Sequence, residues 1–140
     1  MNGPDISKLF YDAPAGAFAD GKLLERAPDL TKAVDDPRNG YWHCNISRDD
    51  RLTWSEKVYE LFGLPADAPI ERGWAVARYC ESSRKVLERV RTVGLDRRLG
   101  FILDAKIMPD GADERWIRVI AVPIVAGNEV VGLHGLKRAL

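Results

Sequence analysis

Two cysteines and two histidines are the side chains of this sequence that most readily bind a metal ion or act as nucleophiles: His43, Cys44, Cys80 and His134. No Cys-x-x-Cys spacing occurs and the histidines lie far apart, so the set does not match a zinc site. We expect Cys44 to be a small buried apolar side chain. Cys80 precedes a predicted helix, where a lowered pKa would make it a redox-sensitive thiol.

Sequence motifs of common enzymes are missing. The chain has no Gly-x-Ser-x-Gly turn, no glycine loop in the strand-loop-helix context that binds phosphate, and no His-Glu-x-x-His. Asp104 and Glu114 cannot be assigned as an acid–base pair from their spacing. The sequence therefore predicts a protein that is not an enzyme.

Large apolar side chains on the predicted strands and helices are the remaining candidates for a binding site. If they surround a cavity, they could bind a small apolar or aromatic ligand. If they fill the space between the elements, they are packed core, which a domain of this size needs. The candidate cavity residues are Trp42, Cys44, Trp54, Tyr59, Phe62, Trp74, Phe101, Leu103, Ile117 and Val119.

The elements that would position these side chains follow from residue periodicity. GYWHCNI alternates, and with the turn SRDD and the strand RLTW it predicts a β-hairpin. In LTWSEKVYELFGLP, Ser55 begins a helix that Gly63 ends. A longer helix is predicted from about residue 82, with Gly94 as its stop. The last third reads as three strands in an antiparallel meander, so the simplest architecture is one antiparallel sheet with helices on one face.

Both faces of the strand RWIRVIAVPIV are apolar, which is unusual for a sheet with one solvated face. Ile117 and Val119 are expected to face the helices, and the opposite face should be covered by an N-terminal helix over 21–36 or by a second subunit. At such an interface His134 could make association pH-sensitive. The candidate interface residues are Leu23, Leu24, Leu30, Val34, Trp116, Ile120, Val122 and His134.

Length and charge narrow the functional classes. The chain has 140 residues, 21 basic and 21 acidic, for a formal net charge of zero. One domain is expected, over 37–140, after a flexible and helical segment over 1–36. The neutral charge argues against binding to nucleic acid or to an anionic membrane. No signal peptide or apolar run of membrane-spanning length occurs, so we expect a soluble cytoplasmic protein with free thiols.

Three stretches together resemble a PAS domain: GYWHCNI, LTWSEKVYELFGLP, and PDGADERWIRV running on to VVGLHGL. They occur in the family's order and cover residues 30 to 140. The resemblance implies a five-stranded antiparallel sheet in the order 2-1-5-4-3, with helices over one face. It also implies a sensory module that binds a small ligand or cofactor between sheet and helices, dimerises through an N-terminal helix, and acts with a histidine kinase or other signalling protein.

Departures from the family pattern limit the cofactor. Haem-binding members use a histidine on the long helix, and none lies between His43 and His134. Flavin-binding light sensors use a cysteine within Asn-Cys-Arg-Phe-Leu, which Cys80 in RYCESS does not match. A small organic ligand remains open, and no output domain is expected within the chain. The expected function is a sensory or regulatory module, with a ligand-free homodimerisation or adaptor module as the alternative.

Overall fold

The fold is described from a computed structural model, which describes residues 6–31, 33, 35–109 and 112–140. Short segments at the N-terminus and around the first hairpin precede the long elements of the second half. In chain order the elements are α1 Ile6–Tyr11, β1 Lys22–Leu24, β2 Gly40–Asn45, a 3-10 turn Ile46–Arg48, β3 Arg51–Trp54, α2 Glu56–Phe62, α3 Arg72–Ala77, α4 Glu81–Arg97, β4 Gly100–Ile107, β5 Arg115–Ala126 and β6 Glu129–Ala139. The fold is thus α+β, as expected.

The sheet is antiparallel and has six strands, in the order β1-β4-β5-β6-β2-β3, so the expectation of five strands is wrong. The additional strand is β1, which pairs with the edge of β4 through Lys22 and Ile102. When β1 is set aside, the other five strands have the order expected from the family resemblance.

The predicted helix over 21–36 is also wrong, because residues 22–24 form β1 and the described residues after it form bends, irregular backbone and turns. Leu23 packs into the core under the helices, whereas Leu24 packs on the opposite face of the sheet. Neighbouring side chains that must reach two different cores favour a strand, where successive residues point to opposite faces. The helix of the N-terminal segment is the short α1.

The predicted hairpin and the helix after it are confirmed. Trp42 pairs with Trp54 across β2 and β3, and α2 begins after Ser55. The Ser55 hydroxyl does not cap the helix; it accepts a hydrogen bond from the Tyr41 N–H at 2.9 Å. Gly63 ends α2 in the left-handed conformation, with φ of 72°.

The long helix α4 continues past its predicted stop. Gly94 lies within α4 and is buried, and the helix ends at Arg97. A Cβ at Gly94 would lie 2.9 Å from the Leu99 carbonyl oxygen, so this glycine permits the close return of the chain into β4. The helix therefore needs glycine here for packing rather than for termination.

The central strand β5 separates two apolar cores, as its two apolar faces predicted. Ile117, Val119 and Ala121 belong to the inner core between sheet and helices. Ile120 and Val122 belong to an outer core, which also contains Phe10, Leu24, Leu30, Ile102 and Leu136. The outer face is therefore covered by the N-terminal segment of the same chain.

A buried ion pair fastens this segment to the sheet. Arg118 and Asp104 lie opposite each other on β5 and β4, both side chains are fully buried, and two hydrogen bonds of 2.6 and 2.7 Å join them. The Arg118 guanidinium also donates to the carbonyls of Leu9, Ala13 and Pro14. The Asp104 carboxylate accepts from the backbone N–H groups of Gly16 and Phe18. Arg118 and Asp104 therefore bind each other, and both also bind the backbone of the N-terminal segment.

Candidate functional site

A cavity of about 60 Å³ lies in the inner core, between the sheet and helices α3 and α4. Its walls are mainly apolar and aromatic, and three cationic side chains reach it. The lining residues are Trp42, Cys44, Leu52, Arg72, Ala75, Val76, Tyr79, Leu87, Arg91, Phe101, Val119, Leu133 and Lys137. An apolar concavity with a few polar groups is the usual form of a small-molecule site.

The structure brings together part of the set proposed from sequence. Trp42, Cys44, Phe101 and Val119 line the cavity. The buried residues Trp54, Phe62, Leu103 and Ile117 belong to the surrounding inner core, and the half-buried Tyr59 and Trp74 pack against it. Several of these rings contact one another, with the Trp54 ring stacked on that of Phe62 at 4.8 Å between centroids.

Lys137 is the most unusual residue of the cavity. Its side chain is 7% exposed, and its Nζ atom lies 5.1 to 5.6 Å from the ring centroids of Trp42, Trp54, Phe62 and Tyr79. Within the described residues it has no hydrogen bond and no ion pair. Burial, and to a smaller extent the nearby Arg72, lowers the pKa of Lys137 from 10.5 to about 7. The cavity therefore holds an amine that titrates near neutral pH.

Lys137 was not among the residues proposed from sequence, although its position could have been found. Leu133 faces the inner core, and strand alternation then places Gly135 and Lys137 on the same face. The residue type argued against a position in the core, because lysine is rarely fully buried without a partner. A lysine in register with core residues on a central strand was the available signal.

Two arginines of the helices extend the positive charge of the cavity. Arg72 of α3 pairs with Glu88 at 2.5 Å, and Arg91 of α4 pairs with Asp50 at 3.1 Å. Both arginines remain partly exposed, so they mark the solvent side of the cavity. Each has a carboxylate partner, whereas Lys137 has none among the residues that the structure describes.

Two buried indoles add hydrogen-bond donors to this region. The Nε1 atoms of Trp42 and Trp54 have no acceptor within the described part of the chain, and Trp42 lines the cavity. A buried donor without an acceptor costs free energy that a bound acceptor would recover. The cavity wall is therefore rich in donors.

The candidate interface residues have different positions. Leu24, Leu30, Ile120 and Val122 lie in the outer core, buried by this chain's own segment, and Leu23 packs against the inner core. Trp116 is half-buried, with the Lys106 ammonium over its ring at 5.2 Å. His134 is half-buried beside Tyr41, whose hydroxyl contacts Nδ1. Val34 lies outside the described residues.

Neither cysteine has a lowered pKa. Cys44 is buried and lines the cavity, and burial raises the pKa of its thiol. Burial and a hydrogen bond to Glu114 also raise the pKa of Cys80, so the expectation of a lowered pKa there is wrong. No group of three or more metal-ligating side chains occurs among the described residues.

No helix in the described part of the chain is long and apolar enough to cross a bilayer. The chain matches no family model and no curated protein. Its structural relatives among solved proteins are informative for the fold.

A sensory box histidine kinase/response regulator from Burkholderia thailandensis has a TM-score of 0.67 at 16% identity, over 79% of this chain and 83% of that chain. The N-terminal domain of a diguanylate cyclase with a PAS/PAC sensor from Marinobacter aquaeolei has a TM-score of 0.65 at 14% identity, over 72% of this chain and 94% of that chain.

An RNA-binding light-oxygen-voltage receptor gives a TM-score of 0.64 at 13% identity, over 74% of this chain, which matches 29% of that receptor. Identities of this size carry information about architecture alone. The TM-scores of 0.64 to 0.67 over 72% to 79% of this chain show that its antiparallel sheet and helices share the architecture of these sensory domains. The chain therefore has the PAS fold.

Proposed function

We propose that this protein is a sensory module of a signalling pathway and that it binds a small molecule in the cavity around Lys137. The observation that carries the proposal is a buried ammonium group that has no ion-pair partner among the described residues and lies in an aromatic-walled cavity. A lysine in this position costs stability, and a bound ligand that compensates its charge would explain its presence.

The structural relatives support the signalling role. Two of them are a sensory box histidine kinase/response regulator and the N-terminal domain of a diguanylate cyclase with a PAS/PAC sensor. We propose that this chain acts with a partner of the same kind and has no catalytic activity of its own. Its two free cysteines are consistent with a location in the reducing cytoplasm.

A homodimer is a further part of the proposal. Because the outer core is covered within the chain, the contact would use the remaining outer face around Tyr41 and His134. Burial and the neighbouring His43 lower the pKa of His134. A dimer that buries this histidine in its neutral form would therefore weaken as the pH falls through the pKa of His134.

Native mass spectrometry of the purified protein, followed by extraction under denaturing conditions, tests the ligand-binding role. We expect a copurified small molecule that is lost from the variant Ala75→Leu, because Ala75 lines the cavity and a larger side chain would fill it. Ala77→Leu is the matched control, since Ala77 is exposed on the same helix. A folded wild-type protein without copurified compound, and without response to any small-molecule panel, would favour the ligand-free interaction module.

A further inference from the structure

We propose that the cavity binds a small carboxylate with a short apolar tail, and that Lys137 is the residue that pairs with its carboxylate group. This inference rests on the ligand-binding role proposed above and names the ligand class. It follows from the charge, the donor set and the size of the cavity.

The positive charge of Lys137 in the cavity favours the binding of one anion. Arg72 and Arg91 are compensated by Glu88 and Asp50, whereas Lys137 has no carboxylate among the described residues. A buried charge is stable only when it is paired and hydrogen-bonded. A ligand with a single negative charge would compensate Lys137, whereas a cationic ligand would add a fourth positive charge to the same space.

The hydrogen-bonding groups agree with the charge. Lys137, Arg72, Arg91 and the Trp42 indole are all donors, and the Trp42 Nε1 atom has no acceptor in the described structure. A carboxylate accepts at two oxygens and donates nothing when ionised. An amide or an amine would present donors to a wall that is already rich in donors.

The size and the remaining wall define the rest of the ligand. A water molecule needs roughly 10–15 Å³ of such space, so a cavity of about 60 Å³ holds about four to six non-hydrogen atoms. The wall away from Lys137 is formed by apolar side chains, among them Val76, Leu87 and Leu133. An apolar tail fits this wall better than the hydration shell of an inorganic anion does.

Binding of such an anion should depend on pH through Lys137. The titratable and charged groups around it are Cys44 of β2, Arg72 of α3, Tyr79, and Arg91 of α4, with Glu88 and Asp50 on the two arginines. Burial raises the pKa values of Cys44 and Tyr79, which keeps both neutral near neutral pH. Lys137 is then the group that loses its charge between pH 6 and 9.

The test is an NMR titration of the wild-type protein with propionate and with propionamide, its neutral isostere. We expect propionate to shift the amide signals of α3 and of β6 near Lys137, and to bind at least tenfold more tightly than propionamide at pH 6. The affinity for propionate should fall by about 100-fold between pH 6 and 9, in proportion to the protonated fraction of Lys137. Calorimetry in buffers of different ionisation enthalpy should show proton uptake on binding at pH 7.5.

Lys137→Met keeps the side-chain volume and removes the charge, and it should lose the preference for propionate over propionamide. Lys106→Met is the matched control, because Lys106 also lies over an aromatic ring but on the other face of the sheet. It should leave both affinities within twofold of wild type. The titrations on wild-type protein decide the matter even if Lys137→Met fails to fold.

Equal binding of propionate and propionamide, tighter binding of propylamine, or no binding of propionate would overturn the assignment of an anionic ligand. None of these outcomes removes the proposed ligand-binding role, which stands or falls on the copurified compound and on Ala75→Leu. Propionate binding that is pH-independent and insensitive to Lys137→Met would place the anion elsewhere and overturn the role of Lys137.

Discussion

Among single residues, Lys137 is the basis of the proposed function, and burial of its ammonium group costs free energy. Its pKa is lowered from 10.5 to about 7 in the folded chain, so the unfolded chain binds more protons between these values. The contribution of Lys137 to the free energy of unfolding therefore rises as the pH increases from about 7 toward 10.5. At lower pH the cost is up to about 5 kcal/mol, because a tenfold change in the protonation equilibrium corresponds to about 1.4 kcal/mol. Attraction between the ammonium and the surrounding rings offsets part of this cost.

The variant Lys137→Met should therefore be more stable than the ligand-free wild type at pH 6, by about 1–4 kcal/mol. The advantage should shrink between pH 7 and 10, because the folded wild-type amine is then neutral and removing its proton costs less free energy as the pH approaches the unfolded pKa of 10.5. Urea denaturation of both proteins across this range measures the difference in the free energy of unfolding. A constant difference, or a variant less stable than wild type at pH 6, would contradict the buried and unpaired state of Lys137.

At the scale of elements, the ion pair between β4 and β5 explains how the N-terminal segment is held. Strand alternation predicts that Asp104 and Arg118 lie on the outer face. It does not predict that they contact each other, because the two residues are 14 positions apart and their contact depends on the register between β4 and β5. The same limit applies to β1. Leucines at near-helical spacing predict a helix locally, whereas the exposed edge of β4 and two separate cores favour a strand.

Asp104→Ala should destabilise the fold by about 3–5 kcal/mol, because it leaves the buried Arg118 guanidinium without its carboxylate. Hydrogen exchange should accelerate first at the amides of Gly16 and Phe18, which lose their acceptor. Asp12→Asn, at an exposed carboxylate of the same segment, is the control and should change stability by less than about 0.5 kcal/mol. Unchanged exchange at Gly16 and Phe18 in Asp104→Ala would show that the pair does not hold the segment.

The contact between β5 and β6 depends on Gly135. A Cβ at this residue would lie 1.8 Å from the Ile120 carbonyl oxygen, which is backbone and cannot move aside alone. Gly135→Ala should therefore lower the melting temperature strongly and cost about 2 kcal/mol or more through backbone displacement. Gly73→Ala in α3 meets no neighbouring atom and should instead stabilise by up to about 1 kcal/mol. Equal effects of the two substitutions would argue against this strand pairing.

At the scale of the whole molecule, the PAS fold carries an N-terminal segment that completes the sheet and covers its outer face. The order of five strands and the division of β5 between two faces could be predicted from sequence. Which candidate side chains surround a cavity and which fill the core could not, because that depends on sub-ångström packing between distant elements. Trp42 and Trp54 are equivalent in sequence terms, yet Trp42 alone of the two lines the cavity.

Removal of residues 1–36 should expose the outer core, including Ile102, Ile120 and Leu136, together with the Arg118–Asp104 pair. An exposed apolar sheet face with a free β4 edge favours association. Analytical ultracentrifugation should therefore show oligomers or aggregates of the truncated protein at concentrations where the full chain has one defined mass. A truncated protein with the oligomeric state and melting temperature of the full chain would contradict the covering role of the segment.

The most direct test of the account is the pKa of Lys137 itself. NMR titration of protein labelled at the lysine side chains reports each amine separately, and Lys137→Met identifies the signal. We expect an apparent pKa near 7 in the free protein, which rises when propionate is added, because a paired carboxylate favours the charged amine. A pKa close to 10.5 in the free protein, unchanged by propionate, would show that the amine is solvated or already paired, and would contradict the account.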